Sequence, residues 1–141
     1  AIELERSSRD VIERTSKLNN SCLSLKRKIE KHPCVKNVFH PEFCPNFQKI
    51  MRTGAGHGCL LSFELAEGLE KTKRVYDSLE VCKGPSFGTN FTLASPYVFL
   101  AHYQELEWAE GCGVPPHLLR VSVGLEDQEN LWSRFKKALL A

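Results

Sequence analysis

The sequence predicts an α+β domain: a small, mainly antiparallel sheet with helices on one face, preceded by a long N-terminal helix. Three observations predict it. Apolar residues in the first thirty positions recur at heptad spacing. Further on, short strand-like runs mix with helical stretches without the strict alternation of a doubly wound parallel sheet. The connections include tight Gly/Pro turns as well as helices, which suits antiparallel neighbours.

The first element is the long helix. Leu4, Val11, Leu18 and Leu25 stand seven apart, with Thr15, Cys22 and Ile29 in matching registers. The stripe predicts a helix over 2–31, ended by His32-Pro33, because a proline disfavours helical geometry in the residue before it. At a rise of 1.5 Å per residue it would be about 45 Å long, so its start should project or lie along another body. CVKNVFHP (34–41) reads as a short strand ending in a proline turn, and PEFCPNFQKIMRTGAGHG (41–58) mainly as loop. CLLSFEL (59–65) is a strand. AEGLEKTKRVYDSLE (66–80) is an amphipathic helix with Leu69, Thr72, Val75, Tyr76 and Leu79 near one face. VCKGPSFGTNFTLASP (81–96) has strand character at both ends around a Gly-Pro-Ser-Phe-Gly loop. Residues 97–110 are partly helical, with Phe99, Leu100, Tyr103 and Leu106 toward the interior. After the GCGVPPH loop (111–117), the chain runs as a strand over 118–123 and a helix over 127–140, with Asp127 as its N-cap.

The totals bound the function. A chain of 141 residues, 42% apolar and 26% charged, is one ordinary globular domain, here divided as 1–32 for the helix and 33–141 for the α+β body. A net charge of +2, with acidic and basic residues interleaved, excludes an electrostatic case for nucleic acid or an anionic membrane. No apolar run approaches the roughly 20 residues that span a bilayer. The six cysteines form no CxxC pair and, with no secretory signal ahead of them, are expected as free thiols in a reducing, cytoplasmic setting. His32, Cys34, His57 and Cys59 could together hold a metal; scattered loop and core residues is the plainer reading. Gly54, Gly56 and Gly58 precede a strand rather than a helix, so they lack the N-terminal amides that cradle a phosphate.

The residue that asks for a role is Arg120. Strand alternation puts Leu119, Val121, Val123 and Leu125 on one face, and Leu118, Arg120, Ser122 and Gly124 on the other. Arg120 then either faces solvent with no special duty, or points into a cleft and grips a carboxylate or phosphate with its forked guanidinium. Ser86, in the Gly-Pro-Ser-Phe-Gly bend, is the candidate partner. No nucleophile–base set and no lysine in a Schiff-base context stands out.

Four segments then carry a resemblance. SFG (86–88) and LLRVSVGLED (118–127) resemble the Ser-Leu-Gly and Leu-Arg-Leu-Ser-Val-Gly-Ile-Glu motifs in the C-terminal domain of the cystathionine γ-synthase group of pyridoxal-phosphate enzymes. Upstream, KHPCVKNVFHP (31–41) and GAGHGCLLSFEL (54–65) match that family's segments in order, and KGPSFGTNFTL (83–93) is similar to its fungal branch. Phe87 stands for the usual Leu, Thr89 for a second Gly, and Phe91-Thr92 for the Glu-Ser of many bacterial members. The resemblance implies that Arg120 binds the α-carboxylate of an amino-acid substrate, with Ser86 as a neighbouring contact. It also implies a pyridoxal 5'-phosphate cofactor, held with its Schiff-base lysine by a large domain outside this chain, and a homo-oligomeric parent. That parent would join cysteine to an O-acylhomoserine by γ-replacement in methionine biosynthesis. A cystathionine lyase or a homoserine sulfhydrylase of the same family is the alternative. A further rival is a non-catalytic module that dimerises through the heptad stripe. On the family reading, this chain alone is expected to be inactive.

Overall fold

The computed structural model describes residues 2–141. The long N-terminal helix is present as α2 (Val11–Glu30), with a shorter helix, α1 (Ile2–Ser8), ahead of it. A turn at Arg9 and Asp10 divides them where one continuous helix was expected. The division has a local cause. The Ser8 hydroxyl donates to the Glu5 carbonyl at 2.8 Å, which competes with the helical ladder, and no buried residue of α1 holds it straight.

Past this turn the heptad stripe does its packing inside the chain. Leu18, Cys22, Leu25 and Ile29 are buried against β1 (Val35–Phe39) and the last helix, while Leu4 and Val11 are exposed. The stripe is therefore not free for self-pairing along its length, which corrects the dimerisation-module expectation: its apolar half is part of the domain's own core.

The segment 41–58 contains more structure than the expected loop: a 3₁₀ turn at Pro41–Phe43 and a helix α3 (Pro45–Ile50), each opened by a proline in its first turn. β2 (Leu60–Leu65) follows, then α4 (Gly68–Ser78), β3 (Cys82–Lys83) and β4 (Leu93–Ser95). The partly helical region resolves into α5 (Tyr97–Ala101), a 3₁₀ turn and α6 (Leu106–Gly111). β5 (Leu119–Ser122) and α7 (Gln128–Leu139) complete the chain. Asp127 caps α7 as expected, accepting the Glu129 and Asn130 amides at 3.1 and 2.9 Å.

The strands lie in the order β1-β2-β5-β4-β3, antiparallel except for the β3–β4 pair. Helices α2, α4 and α7 pack on one face. Their apolar stripes meet Leu61, Phe63, Leu65, Leu119, Val121 and Val123 in one core. Leu125, grouped with that face by alternation, lies past the end of β5 and is partly exposed, because the period-2 pattern ends with the strand.

Candidate functional site

Pairing register places Arg120 on the sheet face opposite the core. Its cross-strand partners are Ser62 on β2 and Ser95 on β4, and Ser62 in turn pairs with Phe39 on β1. Directly paired residues of an antiparallel ladder share a face. The row across the sheet is thus Phe39, Ser62, Arg120, Ser95, with a small hydroxyl residue on each side of the arginine. Ser95 is buried and its Oγ has no hydrogen-bond partner.

The Gly-Pro-Ser-Phe-Gly bend comes down onto this row. Nη2 of Arg120 donates to the Pro85 carbonyl. The Arg120 guanidinium carbon lies 4.0 Å from the ring centroid of Tyr97, the first residue of α5, and 5.9 Å from that of Phe87. One residue pair further on, the Gly88 amide donates to Ser122 Oγ at 3.0 Å, so the loop is bonded to the strand that carries the arginine. Gly88 has φ +72°, a left-handed value that glycine adopts without steric cost. Ser86, between Pro85 and Phe87, is exposed. The structure thus brings the bend and the arginine together, through the Pro85 carbonyl and with the Phe87 ring nearby; no hydrogen bond joins Ser86 to Arg120 among the described residues.

The electrostatics leave the arginine available. An arginine carries five N–H donors. Among the described residues no carboxylate pairs with Arg120. Glu64, the buried carboxylate on the same sheet face, is engaged by Lys36 at 2.8 Å, Asn37 at 2.7 Å and His117 at 3.4 Å. Burial alone would raise its pKa, but the hydrogen bonds from Lys36 and Asn37 and the neighbouring charges hold it below the usual carboxylate range.

Two further features were not anticipated from the sequence. Tyr97 is one; its only local signal was a place two residues beyond the strand that pairs with Arg120. Glu126 is the other. It accepts the Thr92 amide at 2.6 Å and the Thr92 hydroxyl at 2.8 Å, and that hydroxyl also accepts the Gly124 amide at 3.0 Å. The network joins the far end of the loop to the chain leaving β5. The four weighed metal ligands are not gathered: among the described residues no group of three or more His, Cys, Asp or Glu side chains is placed to hold a metal. Instead His32 Nδ1 meets Cys34 Sγ at 3.0 Å, and His57 lies against Gln48 and His40.

Residues 9–140 match the family described as Cys/Met metabolism PLP-dependent enzymes. The chain belongs to that family. It is 43% identical to cystathionine gamma-synthase of Neurospora crassa and 42% identical to that of Saccharomyces cerevisiae, over 98% and 99% of its own length. It spans only 22% and 23% of those two relatives, so it corresponds to a part of them. A crystal structure of a putative O-acetylhomoserine (thiol)-lyase from Campylobacter jejuni superposes with a TM-score of 0.83 at 22% identity, covering 94% of this chain and 32% of that one. The resemblance to fungal cystathionine γ-synthases and the α+β fold are both borne out.

Members of this PLP-dependent family use pyridoxal phosphate. The residues of this chain do not fit the cofactor's lysine. Among the described residues the buried lysines are Lys26 and Lys71. Lys26 is held by Glu42 at 2.9 Å and Glu30 at 3.1 Å, with its ammonium 3.8 Å from the Phe43 ring centroid, and Lys71 faces Glu67 at 3.9 Å. Both amines are thus engaged by glutamate carboxylates.

Proposed function

We propose that this chain is the substrate-gripping part of a PLP-dependent transsulfuration enzyme of the cystathionine γ-synthase type. The observation that carries the reading is Arg120: a guanidinium with no carboxylate partner among the described residues, fixed by the Pro85 carbonyl and the Tyr97 ring beside the Ser86 bend. A planar fork held this way suits the α-carboxylate of an amino acid, which it binds through two parallel N–H bonds. Ser86, at the tip of the same bend, adds a polar contact to the bound carboxylate. Fixing that end of the substrate orients the rest of it.

In the parent protein a separate large domain holds pyridoxal phosphate, which supplies the electron sink for the reaction. The reaction is γ-replacement: the cysteine thiolate takes the place of the acyloxy group on Cγ of an O-acylhomoserine, a C–S bond forms, the Cγ–O bond breaks, and the carboxylate leaves. The setting is the cytoplasm and methionine biosynthesis, in a homo-oligomer. The similarity to two fungal cystathionine gamma-synthases supports this reaction over its family alternatives. Substrate choice tests it. The full-length protein should form cystathionine from cysteine plus O-acylhomoserine faster than it cleaves cystathionine or consumes sulfide. A preference for either of those two would reassign it as the lyase or the sulfhydrylase.

A further inference from the structure

We infer that Tyr97 is a positioning residue for the carboxylate clamp, setting the plane in which the Arg120 fork is presented; this rests on Arg120 binding the substrate carboxylate as proposed above. An arginine side chain has many rotatable bonds, and one hydrogen bond to the Pro85 carbonyl leaves its guanidinium free to turn about that bond. A ring centroid 4.0 Å from the guanidinium carbon removes that freedom, because the flat cation stacks on the aromatic face. Phe87 lies farther off, at 5.9 Å, and is 64% exposed, so it restrains less.

Tyr97 is itself held. It opens α5, where the Leu100 amide bonds the Pro96 carbonyl at 3.2 Å. Its ring meets His102 edge-on, with centroids 6.3 Å apart at 68°. Nδ1 of His102 is fixed in turn by Glu105 Oε1 at 2.6 Å. A line of support therefore runs Glu105, His102, Tyr97, Arg120, from a turn beyond the sheet to the strand that carries the cation. No hydrogen bond of the Tyr97 hydroxyl is found among the described residues, so the face of the ring, and not its oxygen, does the work.

The test is steady-state kinetics of the full-length enzyme, together with inhibition by a substrate-like amino acid and by its decarboxylated amine. Tyr97→Phe keeps the face and should leave KM within about twofold of the parent. Tyr97→Leu should raise KM about tenfold and weaken inhibition by the amino acid to match, while inhibition by the amine stays unchanged. Its kcat should change less than about threefold. Tyr97→Met repeats the measurement should the Leu variant not accumulate as folded protein. Arg120→Lys separates the two readings. If it raises KM and Tyr97→Leu does not, the role of Tyr97 is overturned and that of Arg120 stands. If Arg120→Lys leaves KM unchanged, both are overturned. Equal losses in Tyr97→Phe and Tyr97→Leu, or equal weakening of the amine and the amino acid, overturn Tyr97 alone.

Discussion

Glu126 and Thr92 are joined twice: the carboxylate accepts the Thr92 amide at 2.6 Å and its hydroxyl at 2.8 Å, across 34 residues of sequence. Thr92 is fully buried, and its hydroxyl also receives the Gly124 amide. Thr92→Val keeps the shape but leaves a charged acceptor and a backbone donor each short of a partner. A loss of about 2–3 kcal/mol in unfolding free energy is expected, measured by urea denaturation. Because the network anchors the 84–91 loop, KM for the amino-acid substrate should rise as well.

Gly124 lies close against the backbone of Phe91. A Cβ built there would stand 2.5 Å from the Phe91 carbonyl carbon and 2.5 Å from Glu126 Oε2. Gly124→Ala must push the loop off β5 or strip Glu126 of Thr92. It should destabilise by about 2–3 kcal/mol in thermal unfolding, with a parallel loss of substrate affinity.

Arg120→Lys retains the charge and gives up the fork. A charge-assisted hydrogen bond is worth roughly 1.5–3 kcal/mol, so KM for the amino-acid substrate should rise about ten- to a hundredfold. The measurement is initial-rate kinetics of the full-length enzyme. The 141-residue chain alone should show no turnover with any of the family's substrates, since neither of its buried lysines suits the cofactor.

Acid should weaken the fold through His40. Burial and the nearby His57 and Lys26 charges hold its pKa below the usual 6.5, against a smaller opposite pull from Glu42. The unfolded chain therefore binds the proton more readily than the folded one. The stability contributed by neutral His40 is present above 6.5 and is lost as pH falls from there through the depressed folded value. His32, lowered chiefly by burial and then by Lys71 and Lys136, adds the same sign. The urea midpoint should drop as pH falls below about 6.5, and His40→Gln should flatten part of the drop.

The six thiols should divide by burial. Cys22 is fully buried, and burial, with Cys59 nearby, pushes its pKa up to about 12. It should resist a thiol-alkylating reagent in the native chain, while the exposed Cys44, Cys82 and Cys112 react first. Mass spectrometry after timed quenching checks the order.

The sheet and its helices were legible because their patterns are strong: alternation in LLSFEL and LLRVS, a capping Asp before α7, and a heptad stripe along α2. The turn at Arg9 and Asp10 was not, because the apolar register runs straight through it while a serine hydroxyl and the lack of packing break the ladder. Of the candidate site, the sheet face of Arg120 and the turn character of the bend could be read from alternation and Gly/Pro punctuation, but not a role for either. Tyr97 could not, since a stacking partner is fixed by the register of β4 against β5 and by no spacing along the chain. Glu126 was hidden in the same way: its partner Thr92 is brought to it by pairing across the sheet.

β5 is the middle strand of five, bonded to β2 on one side and β4 on the other. Fraying at the rims, where β1 and the two-residue β3 lie, does not free its amides; only a global opening does. The amide of Arg120 should accordingly be among the last to exchange in deuterated water. As denaturant is added, grip on the substrate should persist until the whole domain cooperatively melts.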